Sequence, residues 1–168
     1  MKNKIVSGML CFALILPLPL FGQTAGNKTD TTIPKQKLTI EWKHLEKDGI
    51  TCVRCSNTGK TLLQVIEEMK KTCKKQQIEI EFKETKLAAD RIKESNEILM
   101  NGIPIEKILS NAQVFESDCP SCSSITGQSN CCRGIKIEEK KYEEIPEEMI
   151  WKSACKLLKC ELLGKKND

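Results

Sequence analysis

A chain of 168 residues with 27 basic and 23 acidic side chains carries a formal charge of +4. The two signs are mixed along its length, which reads as a solvated surface and excludes a nucleic-acid footprint. Aromatic residues are 4% of the chain, too few for base-stacking platforms, so the ten cysteines are its unusual feature.

Lys2 and Lys4 precede an apolar run over residues 5–21, broken by Pro17 and Pro19, and "FGQTAG" then offers small or polar residues for cleavage. This is the pattern of a secretory signal peptide over residues 1–23. An uncleaved membrane anchor is the rival, and the two prolines and the polar stretch behind them weigh against it. Cys11 lies in the apolar run and leaves with the peptide, as do Lys2 and Lys4, so the mature chain has 25 basic against 23 acidic residues, a formal +2. The expected location is periplasmic or secreted, with no membrane attachment after cleavage. Residues 24–37 are polar and aperiodic, as in a tether. Residues 38–163 have the length and apolar content of one domain.

"KLTIEWKHL" alternates, with Leu38, Ile40, Trp42 and His44 on one side, and predicts a strand. "EKDGIT" supplies a turn at Asp48-Gly49. From Thr58 the apolar positions Leu62, Ile66, Met69 and Cys73 recur at helical spacing, with Ser56, Asn57 or Thr58 as the expected N-cap. "IEIEFKET" is a second alternating strand, and a strand, helix and strand joined this closely predict a parallel unit. "KLAADRIKES" reads as a short helix, and "EILMNGIPIEKIL" as two short runs hinged on Asn101-Gly102, a favoured hairpin turn. "GIKIEEKKYEEI" reads as a strand or hairpin. In "IPEEMIWKSACKLLKCELL", Pro146 suits a first helical turn, Glu147 and Glu148 its positive end, and Ile150, Ala154, Leu157 and Leu158 an inner face.

Nine cysteines remain after export: Cys52, Cys55, Cys73, Cys119, Cys122, Cys131, Cys132, Cys155 and Cys160. In an oxidising compartment disulfides are the default, and an odd number leaves one thiol for another role. Cys52 and Cys55 stand before a helix, where unpaired N–H groups and the helix dipole favour the thiolate, and Arg54 adds a cation. A thiolate attacks disulfides and also ligates soft metals. Cys119, Cys122, Cys131 and Cys132 lie in "CPSCSSITGQSNCCRG", read as a cysteine-rich loop inserted over residues 116–134. Adjacent Cys131 and Cys132 would close a strained ring, so different partners are expected for them, or a thiophilic ion such as mercury or arsenic(III). Cys73 falls on an apolar stripe. Cys155 and Cys160 are five apart on the last helix and do not face each other.

The pattern "EWKHL…GITCVRCSNTG", "SNEILMNGIPIEKIL", "CPSC", "CCRG" and "YEEIPEEMI" resembles a bacterial and archaeal domain family of unknown function that is grouped with thioredoxin-like proteins, over nearly all of residues 38–158. The resemblance implies an α/β, thioredoxin-like β-α-β-α-β-β-α core with the cysteine-rich loop inserted before the last helix. Ser95 and Asn96 stand where thioredoxins place a cis-proline. In such a sheet the fourth strand ends at the edge where the first delivers Cys52 and Cys55, so the loop is predicted to emerge within about a Debye length, ~10 Å, of that pair.

The expected function is thiol-disulfide exchange, with Cys52 attacking and Cys55 resolving, and with protein thiols or disulfides as partners. One alternative is a soft-metal protein, taking zinc or another thiophilic ion on the two cysteine clusters, Cys119, Cys122, Cys131 and Cys132 among them. The other is a disulfide-stapled binding module without catalysis. His44, the only histidine, is expected to pack.

Overall fold

The computed structural model describes residues 36–159. The expected signal peptide, most of the expected tether, Cys11 and Cys160 lie outside the described residues.

The centre of the fold is β1 (Gln36–Lys47). Along it Leu38, Ile40, Trp42 and His44 are buried, as alternation on a half-buried strand requires. Asp48 and Gly49, both at positive φ, turn the chain into the two-residue β2 (Ile50–Thr51), the geometry of a tight primed hairpin turn. β3 (Ile78–Leu87) pairs parallel to β1 over its whole length. On the other side β4 (Glu97–Met100) runs antiparallel to β1, and β5 (Ile103–Pro104) antiparallel to β4. Asn101 and Gly102, again both at positive φ, make the expected hairpin turn.

Between β1 and β3 lies α1 (Val53–Lys74). It buries Thr58, Leu62, Val65, Ile66, Met69 and Cys73, one stripe at helical spacing. Gly59 sits on this stripe because a Cβ there would meet the Trp42 ring, within 2.9 Å of Cζ3. Trp42 is stacked on His44, ring centroids 3.9 Å apart, and the packing expected of His44 is what the fold shows. α1 begins five residues earlier than Thr58, with Cys52 itself as N-cap; the hydroxyl of Thr58 instead accepts the Ile145 N–H at 3.1 Å. "KLAADRIKES" forms a 3-10 turn over Ala89–Glu94, and "IEKI" a single helical turn, α2 (Ile105–Ile108).

The stretch 116–134, expected as a loop, is ordered secondary structure. β6 (Ala112–Asp118) leads into α3 (Pro120–Thr126), and β7 (Cys131–Ile137) returns antiparallel to β6, followed by β8 (Lys140–Tyr142). These three strands are a second sheet. The chain continues into α4 (Glu147–Leu158), whose buried face is Met149, Ile150, Ser153, Ala154, Cys155 and Leu158. Pro146 caps it, in place of the expected first-turn position, and its carbonyl accepts the Met149 N–H. Over the described residues the result is a mixed α/β fold of two sheets and four α-helices. Among the described residues no helix is long and apolar enough to cross a membrane.

One buried ion-pair system joins the sheets. Arg133 on β7 is 6% exposed and reaches Glu97 on β4 and Glu106 on α2, the latter at 2.8 Å. Glu97 also takes Lys43 of β1 at 2.9 Å. A buried guanidinium with two carboxylates avoids the desolvation penalty of a lone charge, so this pairing ties β7 to one register against the central sheet.

Candidate metal centre

Both short cysteine motifs open helices. Cys52 is the N-cap of α1, and its sulfur accepts the Cys55 backbone N–H at 3.4 Å. Cys119 is the N-cap of α3, with Pro120 behind it. An N-cap residue and the one three positions later lie on the same side of the first turn. That is why Cys119 and Cys122 point the same way.

The loop between α3 and β7 is closed by its own hydrogen bonds. Cys119 N–H donates to the Asn130 carbonyl at 3.0 Å, and Asn130 N–H donates to the Ser123 hydroxyl at 2.9 Å. Gly127 ends α3 at φ 77°, the left-handed cap for which glycine is the ordinary choice. Antiparallel pairing sets Ser117 opposite Cys132 and Asp118 opposite Cys131. Neighbours on a strand face opposite ways. Cys132 is buried beneath the strand, while Cys131 is exposed with its thiol 3.4 Å from the Asp118 carboxylate.

The sulfurs of Cys52, Cys119, Cys122 and Cys132 all lie within 4.8 Å of one another, and all four residues are buried. Cys122 and Cys132 are hydrogen-bonded at 2.9 Å. Both cysteine segments therefore converge, with a membership different from either sequence-defined cluster: Cys52 joins three of the later cysteines and Cys131 stands outside. Cys55 is completely buried beside the group, its backbone N–H on the Cys52 sulfur and its own sulfur 3.2 Å from the Ser95 hydroxyl. Ser95, expected to stand where thioredoxins place a cis-proline, also accepts the Leu45 N–H at 2.8 Å, and the described residues contain no cis peptide bond. None of Cys52, Cys55, Cys119, Cys122, Cys131 or Cys132 carries a disulfide.

The electrostatics of the group are uneven. Hydrogen bonds from Cys122, then Cys132 and Cys55, hold the Cys52 thiol far below its ordinary value against the opposing effect of burial. Cys55 is pushed up by its hydrogen bond to Cys52 and by burial. Cys122 is pushed up by its contacts with Cys132 and Cys52 and by burial. For Cys132 the bond with Cys122 pulls down, but the bond with Cys52, burial and Cys119 push up more strongly. The shifts favour the thiolate at Cys52 and the thiol at Cys55, Cys122 and Cys132. Outside the group, the Asp118 carboxylate raises Cys131.

Arg54 is the feature that sequence reasoning placed only in part. Its place between Cys52 and Cys55 suggests a cation favouring a thiolate; in the fold its guanidinium is buried and turned to the second sheet. It donates to the Ser117 hydroxyl at 3.1 Å, the Asp118 carbonyl at 3.2 Å and the Cys132 carbonyl at 3.4 Å, and it pairs with Glu143 at 2.8 Å. The signal was available in the periodicity, since Arg54, Thr58 and Leu62 continue the buried stripe of α1 toward its start.

Residues 38–154 match the family described as a domain of unknown function, DUF2703. The chain belongs to this family. It is 32% identical over 118 residues to an uncharacterised protein of Archaeoglobus fulgidus, an alignment covering 68% of this chain and 82% of that protein. No solved structure matches. Family membership thus brings no assigned reaction, and the chemistry has to come from the sulfur cluster.

Proposed function

We propose that this domain binds one thiophilic metal ion, zinc fitting best, on the thiolates of Cys52, Cys119, Cys122 and Cys132. The observation that carries this reading is the approach of four buried sulfurs, drawn from both sheets, to within 4.8 Å of one another. A zinc ion with four thiolates about 2.3 Å away has sulfurs separated by about 3.8 Å. The cluster is already near that size. Such closed, all-thiolate sites hold an ion and stabilise the fold, whereas a catalytic zinc keeps a position open to water or substrate. Burial of every ligand supports a holding role. Its test is zinc affinity measured by competition with a chelator of known strength: Cys119→Ser and Cys132→Ser should each weaken binding by about a hundredfold or more, while Cys131→Ser should leave it unchanged. Equal affinity across all four proteins would defeat the reading.

A second reading, thiol-disulfide exchange at Cys52 and Cys55, is favoured by one observation. The pair opens a helix that follows the central strand of the order β3-β1-β4-β5, with β3 parallel and β4 antiparallel to β1, as in a thioredoxin-like sheet. On that basis we read the core as thioredoxin-like. Burial of both sulfurs, 1% and 0% exposed, weighs against attack on a protein disulfide. Reduction of a protein disulfide that is lost on Cys52→Ser would support this second reading. We also propose export with cleavage near residue 23, supported by Lys2, Lys4 and the apolar run that follows. The mass of the chain recovered from outside the cytoplasm tests it.

A further inference from the structure

Cys55 has no task in a four-sulfur metal site. It is nonetheless the neighbour of a ligand, since its backbone N–H donates to the Cys52 sulfur at 3.4 Å. The Ser95 hydroxyl fixes its sulfur at 3.2 Å, and Ser95 is itself fixed by the Leu45 N–H.

Cys52 differs from the other three ligands in origin. Cys119, Cys122 and Cys132 belong to the β6, α3 and β7 unit, while Cys52 comes from the junction of the first sheet with α1. Loss of this one ligand would leave the ion on three thiolates of a single unit and remove its hold on the other.

We propose that Cys55 makes the metal centre redox-labile, so that hydrogen peroxide joins Cys52 to Cys55 and expels the ion. This rests on the metal reading above. In the first step the Cys52 thiolate attacks one peroxide oxygen, the O–O bond breaks, Cys52 becomes a sulfenic acid and hydroxide leaves. In the second, the Cys55 sulfur attacks the Cys52 sulfur, the S–O bond breaks, and the departing hydroxyl takes the Cys55 proton to leave as water. Two electrons pass from the two sulfurs to peroxide. The oxidised pair has no thiolate to offer, and the ion departs from the three that remain.

Burial selects the oxidant. Cys52 is 1% exposed and Cys55 0%, so a bulky disulfide cannot align with either sulfur, whereas peroxide is barely larger than water. The metal centre and the dithiol thus share one sulfur, and each state excludes the other.

The test treats zinc-loaded full-length protein with one equivalent of peroxide. It follows released zinc with a chromophoric chelator, and the bridge formed is mapped by peptide mass spectrometry. Release of one zinc per peroxide, with a Cys52–Cys55 bridge as the first disulfide and reloading after a dithiol reductant, is the expected result. Cys55→Ser and Cys55→Ala should load zinc like the parent and release it about tenfold more slowly, because the other sulfurs near Cys52 are engaged by the ion and Cys55 alone is free to resolve the sulfenic acid. Release at the parental rate from both variants, a first bridge within Cys119, Cys122 and Cys132, or failure of both variants to load zinc would overturn the proposal. A parent protein that takes up no zinc would overturn the metal reading itself, and this proposal with it.

Discussion

Replacing Arg54 by alanine probes how the two halves of the site are held together. The guanidinium has two bonds of ordinary length, to the Ser117 hydroxyl at 3.1 Å and the Asp118 carbonyl at 3.2 Å, and a longer one to the Cys132 carbonyl at 3.4 Å. Hydrogen bonds that involve a charged group contribute about 1.5–3 kcal/mol each. Taking the lower end for the two shorter bonds gives about 3 kcal/mol. The pair with Glu143 adds little, because that carboxylate is 53% exposed and solvent screens it. For a domain of this size the melting temperature should fall by roughly 10–15 °C. If half of that energy acts in bringing Cys52 to the second sheet, zinc affinity falls about tenfold as well. The assay is a thermal melt of the metal-free protein, with a zinc competition titration on the same samples. Glu143→Gln is the control and should cost less than about 1 kcal/mol. An Arg54→Ala protein that melts within a degree or two of the parent and binds zinc equally well would refute the strut.

Saturating zinc, at about a thousandfold over its dissociation constant, should stabilise the reduced protein by about 4 kcal/mol, and a chelator should reverse this; a melting temperature indifferent to zinc contradicts a site spanning both sheets. At neutral pH the metal-free cluster holds Cys52 as thiolate and Cys122 and Cys132 as thiols. Zinc uptake should therefore expel at least two protons, and affinity should drop by about a hundredfold per pH unit lost, as calorimetry in buffers of different ionisation enthalpy will report. The lowered Cys52 contributes stability to the metal-free fold above its unfolded value, lost only as pH falls through the folded one. The raised Cys55, Cys122 and Cys132 contribute stability that is complete below roughly pH 8.5 and is lost as pH rises toward their folded values. Alkaline melts of the metal-free protein should weaken accordingly. Gly59→Ala gains about 1 kcal/mol of helix propensity but drives a methyl into Trp42, an overpacking cost of about 1–3 kcal/mol. A net loss with altered tryptophan fluorescence is expected, and a stabilised protein would show that the ring moves aside freely.

The central strand and first helix were legible because their apolar residues repeat at the periods of strand and helix; Leu38, Ile40, Trp42, Leu62, Ile66 and Met69 are where those periods put them. The start of α1 was not, since sulfur is a weak hydrogen-bond acceptor and Cys52 is not a residue that capping rules favour. β6 escaped notice because Val114 is exposed and no residue of that strand is fully buried, leaving no alternation to read. α3 was hidden in a run of serines, although Pro120 at its start and Gly127 after its end carried the proline-then-glycine signature of a helix. Convergence of the two cysteine segments was expected from a loop leaving the fourth strand; the segments do meet, but the later one is carried there by β6 and β7 of a second sheet. The identity of the ligands was not legible, because it depends on facing: only once β7 begins at Cys131 does strand alternation send Cys132 inward and Cys131 to solvent, and Cys55, placed relative to Cys52 as Cys122 is to Cys119, has its sulfur on the Ser95 hydroxyl instead.

X-ray absorption at the zinc edge of the reduced, zinc-loaded protein addresses the metal centre most directly. Four sulfur neighbours at about 2.3 Å, falling in number when Cys52 is replaced by serine, is the result expected of these residues. A shell of nitrogen or oxygen, or a sulfur count untouched by that replacement, would contradict a centre built from both sheets.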